Sequence, residues 1–161
     1  MELQIRPAEI EDIDSILAVI GNTQAAWDKR TAKKYYDDYF STKPNALEGD
    51  AVYVGTLGGK VIGVTGYSLD LYETGNYWLN WFYVDKKYQN KGHGKKLLEF
   101  VIRELKKKHK HIKKLFADTS SGESYIDALT LYLNNKFKIE AVIRDYYGKG
   151  DDQIILSKTI A

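Results

Sequence analysis

The chain has 161 residues, room for one domain of ordinary size, and 43% are hydrophobic, enough for a sizeable core. It contains no cysteine, which excludes disulfide scaffolds, thiolate catalysis and Cys-ligated metal sites. The net charge of +2 argues against a general polyanion binder, and no nucleic-acid partner is expected. No window approaches the ~18 apolar residues of a membrane span. The start, Met1 to Arg6, lacks the basic and then apolar run of a secretory signal. A cytoplasmic protein with no membrane partner is therefore expected.

Leu3 and Ile5 alternate with polar neighbours, as in a short strand. Ile10, Ile13, Ile16, Leu17 and Ile20 then follow at helical spacing, with Glu9, Glu11, Asp12 and Asp14 crowding the helix start, where the macrodipole favours acids. Gly21-Asn22 is a plausible stop. A second helix is predicted from Asp28 to Phe40, half-exposed, with tyrosines at 35, 36 and 39. Ser41 to Asp50 reads as a loop.

Ala51 to Leu57 alternates as a strand, Gly58-Gly59 is a hairpin turn signal, and Lys60 to Leu71 gives the partner strand. Tyr77 to Val84 is nearly continuously apolar, interrupted by Asn80 alone, which predicts a strand buried on both faces. A helix from about Gly94 to His109 shows Leu97, Leu98, Val101, Ile102 and Leu105 on one face. Leu115 to Ala117 is a short buried strand, and Tyr125 to Asn135 a last helix. Strands Ile139 to Ile143 and Gln153 to Ile160 are joined through Tyr146-Tyr147-Gly148-Lys149-Gly150. The order β-α-α-β-β-β-α-β-α-β-β, without repeat or internal boundary, predicts a single α/β domain over 1–161. Its mixed sheet should be antiparallel early and parallel in the middle.

The charge is unevenly placed. Lys86 to Lys114 holds twelve Lys or Arg against Glu99 and Glu104, a net of +10, which leaves −8 for the rest of the chain. Most of that run reads as a solvated helix face. Its first part is different, because Lys86, Lys87, Lys91, Lys95 and Lys96 surround a pair of glycines, Gly92 and Gly94. A buried strand runs into this loop, and the loop opens a helix. Glycines let backbone approach a ligand, and the exposed N–H groups of a helix start bind phosphate. The segment predicts a phosphate or pyrophosphate site; an ordinary helix start is the plainer alternative. Neither the P-loop nor the dinucleotide fingerprint fits, since Lys96 stands where a P-loop needs Ser or Thr and Leu97 where the fingerprint needs glycine.

Gln89-x-x-Gly92-x-Gly94 after a strand ending at Val84 resembles the acetyl-CoA pyrophosphate loop of the GNAT N-acetyltransferase superfamily. The resemblance extends over nearly the whole chain. It takes in Ile5-Arg6-Pro7-Ala8, the hairpin with Val61-Ile62-Gly63, and Ala128-x-x-Leu131-Tyr132 before Phe137. It implies the GNAT fold: about seven mostly antiparallel strands, a splayed parallel central pair and about four helices. It also implies acetyl-CoA as co-substrate. Backbone amides from Gln89 through Asn90, Lys91, Gly92 and His93 to Gly94 would hold the pyrophosphate, with Lys95 or Lys96 near its oxygens. Phe82, Tyr83 and Val84 would pair with the pantetheine arm. Tyr132 matches the tyrosine that protonates the leaving thiolate; the alternative is a core tyrosine. The amine would attack the thioester directly, without an acyl-enzyme.

The sequence also departs from that pattern. Asn80 stands where many relatives carry a general-base glutamate; an amide is not basic, although it can orient a water or a substrate. Asp118, Glu123, Asp70 and Glu73 are the other base candidates. Lys136 replaces the glycine before Phe137, so Asn135 is expected to supply the left-handed helix end. None of the three histidines looks catalytic, and no metal constellation appears. For the acceptor, Trp27, the 28–40 helix, the loop to Asp50, and Tyr146 and Tyr147 are expected. The tyrosine pair resembles the strand-loop of relatives that act on protein N-termini. Trp27, Asp28, Asp37 and Asp38 suit a small cationic amine instead. Both acceptors stay open, as does a non-catalytic CoA-binding or partner-docking module. The chain is expected as a monomer or homodimer.

Overall fold

The structure, a computed structural model, describes residues 1–23, 25–41 and 49–160. Most of the expected loop between Ser41 and Asp50 therefore lies outside the described residues. The strands are β1 (Gln4–Pro7), β2 (Ala51–Leu57), β3 (Lys60–Leu69), β4 (Asn76–Val84), β5 (Lys114–Ser120), β6 (Lys138–Gly148) and β7 (Asp151–Thr159). The helices are α1 (Ile13–Gly21), α2 (Lys29–Ser41), α3 (His93–Lys108) and α4 (Ile126–Asn134). The sheet order is β1-β2-β3-β4-β5-β7-β6, and the β4–β5 pair is parallel. The chain divides into two compact units, Met1–Ser68 with Asn80–Val101, and Leu69–Leu79 with Ile102–Ala161.

In the first unit, β1 and β3 flank β2 in antiparallel register, and Gly58 and Gly59 both have positive φ, the turn that matches strand twist in a two-residue hairpin. Gly55 and Gly63 are register partners, and a Cβ at Gly63 would stand 2.8 Å from Leu97 Cδ1. The missing side chains leave room for Leu97 of α3, which is fully buried, as are Leu98 and Val101. This close approach places the start of α3. The remaining core joins Ile16, Ile20, Tyr36, Val54 and Val64.

The acids before α1 do more than complement a dipole. Asp12 accepts both Arg6 Nη1 at 2.7 Å and Nη2 at 2.9 Å, and its Oδ2 also accepts the Glu9 amide at 2.8 Å. Ile10–Asp12 forms a 3₁₀ turn, so Ile10 leaves the apolar stripe and is 58% exposed. β4 also differs from expectation. Trp81 has φ +46°, which interrupts the strand's two-residue alternation, and residues 80–83 are half-buried instead of enclosed on both faces.

In the second unit, Asn76–Trp78 of β4 pair with Lys114–Phe116 of β5; no later residue of β4 pairs with β5. β5 runs to Ser120, longer than expected, because β7 pairs with it antiparallel along its whole length. β6 is an edge strand, exposed throughout. Tyr146 and Tyr147, expected in a joining loop, lie within β6. They fall where its register with β7 breaks, between Ile143 and Gly148.

Candidate functional site: a phosphate loop, an amide cluster and a buried tyrosine

The loop after β4 is built around Asp85, a residue the sequence reading did not single out. Asp85 is buried; its Oδ1 accepts the Lys87 amide at 2.9 Å and its Oδ2 accepts Asn22 Nδ2 at 3.1 Å. An acid two residues before the amide it caps is a local turn signal, readable in Asp85-Lys86-Lys87. Lys86–Tyr88 then makes one 3₁₀ turn. Gln89 Nε2 donates back to the Val84 carbonyl at 2.8 Å, tying the loop to the strand end.

Asn90 and Gly92 have φ of +58° and +82°, and nothing lies within 4 Å of a Cβ placed at Gly92. The first amide hydrogen bond of the helix runs from Lys96 to the Gly92 carbonyl at 3.2 Å. Amides before it have no carbonyl one turn back to bond, and they carry the positive end of the helix dipole. An open glycine at a helix start among lysines fits the double negative charge of a pyrophosphate. The lysines are not equivalent. Lys91 Nζ donates to the Lys87 carbonyl at 3.0 Å, and Lys95 lies 3.7 Å from Glu99. His93 is held below its ordinary pKa by burial, then by Lys96 and Lys91, and is neutral at pH 7; its buried Nδ1 has no hydrogen-bond partner.

Asn80 is held by β3. Its Nδ2 donates to Ser68 Oγ, and Ser68 Oγ donates to Asp50 Oδ2 at 3.0 Å. The Tyr35 hydroxyl is buried beside this chain. Its pKa is raised, first by burial, while Ser68 and Asn80 pull it down and Asp50 pushes it up. Tyr35 packs on Tyr36 and Trp81, with ring centroids 5.3 and 5.7 Å away. Ser68, Tyr35 and Asp50 carried no sequence signal as a group, because they come from three separate elements. Tyr83 of β4 donates its hydroxyl to Asp28 Oδ2 at 2.9 Å. Among the expected acceptor groups, Trp27 is 67% exposed. Asp37 and Asp38 are already paired within α2, with Lys33 at 2.6 Å and Lys34 at 3.8 Å.

In the second unit, Tyr132 is buried on α4. Its pKa is pushed up, mainly by burial and then by Asp118, so the phenol stays protonated at neutral pH. Asp118 Oδ2 accepts Gln153 Nε2 at 3.0 Å and lies 3.5 Å from the Tyr147 hydroxyl. Burial first, and then Asp118, push Tyr147 up to about 12. Two expected tyrosines thus respond to one carboxylate. Tyr146 and Tyr147 meet edge to face at 5.0 Å. The left-handed residue after α4 is Lys136 itself, with φ +69°, and not Asn135, which has φ −96°. Asn135 instead donates Nδ2 to the Leu131 carbonyl at 2.8 Å. Of the other base candidates, Asp70 is spent on its own turn, accepting the amides of Tyr72 at 2.7 Å and Thr74 at 3.2 Å. Glu123 opens the 3₁₀ turn before α4 and is exposed.

Among the described residues, no helix is long and apolar enough to cross a membrane, and no group of His, Asp and Glu could hold a metal ion. Curated protein sequences gave no significant match. Solved structures match over nearly the full length. A GNAT-family protein from Desulfovibrio desulfuricans shares 24% identity at a TM-score of 0.89, covering 99% of this chain and 100% of its own. The Escherichia coli ribosomal-protein-S18-alanine N-acetyltransferase shares 24% at 0.77, covering 99% and 95%. An aminoglycoside 6′-N-acetyltransferase, complexed with coenzyme A, shares 12% at 0.77, covering 98% and 97%. The fold is theirs. The sequence profile of the acetyltransferase (GNAT) family matches residues 19–132, which include the loop, Asn80 and Tyr132; the chain belongs to that family of acetyl-CoA-dependent N-acetyltransferases.

Proposed function

We propose that the chain moves the acetyl group of acetyl-CoA to a primary amine by direct attack, all 161 residues forming one catalytic domain. The observation that carries this reading is the loop Asp85–Gly94, with its open left-handed glycine and, at the start of α3, amides that precede the first helical hydrogen bond at Lys96. Amides from Gln89 to Gly94 hold the pyrophosphate, and Lys96 adds charge. Phe82, Tyr83 and Val84 offer strand edge to the pantetheine arm. Acetyl-CoA supplies the activated acyl group; with no cysteine in the chain, no thiol is available to take it up first.

Tyr132 donates a hydrogen bond to the leaving sulfur. Its raised pKa keeps the phenol protonated at neutral pH, so the O–H is there to donate, while burial makes it a weaker acid than a free tyrosine. Trp27, Tyr146 and Tyr147 contact the acceptor. The acceptor is either a protein or peptide amine, which Tyr146 and Tyr147 support, or a small cationic amine, which the −8 balance outside residues 86–114 supports.

The test is release of free thiol from acetyl-CoA with peptide, polyamine and aminoglycoside amines, together with calorimetry of CoA binding. No heat at millimolar CoA overturns the reading. The amide at Asn80, in place of a base, favours a second reading, a CoA-binding module without turnover. That module would bind CoA but release no thiol whichever amine is supplied.

A further inference from the structure

N-acetylation leaves one proton to be removed from nitrogen, and where the family resemblance puts a general-base glutamate on β4 this chain has the amide Asn80. Asn80 cannot take a proton at neutral pH. Its surroundings give the proton a route. A carboxylate can only accept, so the single hydrogen of Ser68 Oγ is committed to Asp50 Oδ2, 3.0 Å away. Ser68 must then accept from Asn80 Nδ2, which fixes the amide's orientation and leaves Oδ1 as an acceptor facing away from the serine. A hydroxyl oxygen has two lone pairs, and Asn80 occupies one. The buried Tyr35 hydroxyl borders the pair and interacts with both Ser68 and Asn80.

We propose that Ser68 takes the proton of the acceptor amine, with Asp50 as the positioning carboxylate behind it, so that β3 and its approach provide the base that β4 lacks. This rests on the transferase reading above. The amine nitrogen bonds to the acetyl carbonyl carbon, and the carbon–sulfur bond breaks with its electron pair leaving on sulfur. The proton from nitrogen passes to Ser68 Oγ while the serine's own proton passes to Asp50 Oδ2, and from there to water. Asn80 Oδ1 holds a second N–H of the same amine. A carboxylate of ordinary pKa about 3.9 does not strip a free ammonium of pKa about 10.4. It does accept the proton once nitrogen has given its lone pair to carbon, so transfer accompanies bond formation.

The experiment follows thiol release from acetyl-CoA with three probes: spermidine, kanamycin and a peptide with a free N-terminal alanine. Wild type is compared with Asp50→Asn, Asp50→Glu and Ser68→Ala. Asp50→Asn and Ser68→Ala are expected to lose kcat by about 10²-fold or more. The KM for acetyl-CoA, the calorimetric Kd for CoA and the melting temperature should stay unchanged, and Asp50→Glu should recover most of the lost kcat. An Asp50→Asn enzyme within threefold of wild-type kcat overturns the proposal, as does Asp50→Glu falling as far as Asp50→Asn. Wild type that binds CoA but acetylates none of the three overturns the transferase reading first, and this inference with it.

Discussion

The Phe137 amide donates to the Tyr132 carbonyl at 3.0 Å, and the two rings stand 5.4 Å apart. Lys136 N–H reaches the Leu133 carbonyl at 3.1 Å in the same turn. These two bonds and the ring contact form a Schellman end to α4, in which the hydrophobic residue after the turn packs on the third-last residue of the helix. The tyrosine assigned to the leaving sulfur is thus held by the helix terminus, not by packing alone.

Tyr132→Phe keeps the ring, and with it the contact to Phe137. Thiol release should fall by about 10²-fold or more, while calorimetric CoA affinity stays within twofold. Equal turnover in the two proteins would remove Tyr132 from the chemistry.

Lys136 occupies a left-handed conformation that costs an L-residue about 1 kcal/mol and glycine almost nothing. Lys136→Gly should therefore stabilise the protein by about 0.5–1 kcal/mol in denaturant unfolding, with kcat unchanged. A destabilised variant would mean that the lysine side chain contributes more than its backbone costs.

Gly92 separates stability from binding. Alanine there meets no atom within 4 Å, so only the positive φ is penalised, by about 1 kcal/mol. The new methyl group stands on the open side of the loop, so CoA affinity should fall more than tenfold. Calorimetry of Gly92→Ala with a parallel melting curve reads both, and unchanged affinity would move the pyrophosphate elsewhere.

Asp12 sets an acid limb. The Arg6 hydrogen bonds hold its carboxyl below the ordinary value, so the folded chain binds that proton less readily than the unfolded one. The stabilisation is complete above the unfolded value of about 3.9 and is lost as pH falls through the lower folded value. Asp12→Asn should cost about 1–2 kcal/mol at pH 7, modest because Arg6 is partly exposed, and should flatten the fall of unfolding free energy as pH drops below the ordinary carboxyl value of about 3.9. Parallel pH series of both proteins test this; identical slopes would contradict it.

The sequence alone determined the element order, the hairpin turn and the glycine- and lysine-rich loop that opens α3. Each depends on neighbours in the chain: apolar period, paired glycines, and lysines beside a helix start. Gly58-Gly59 and Gln89 to Gly94 are legible for that reason, and so is the family. The end of α4 was half legible, since the motif required a left-handed residue but local propensity favoured Asn135 over Lys136. Tertiary structure decided what chain distance hides. Asp50, Ser68 and Asn80 come from the approach to β2, from β3 and from β4, and only sheet pairing makes them one hydrogen-bonded line. Likewise, Asp12 reads as a dipole partner until Arg6 closes on it. Hydrogen bonds join groups within about 3 Å in space, whereas sequence patterns reveal only the spacing along one element.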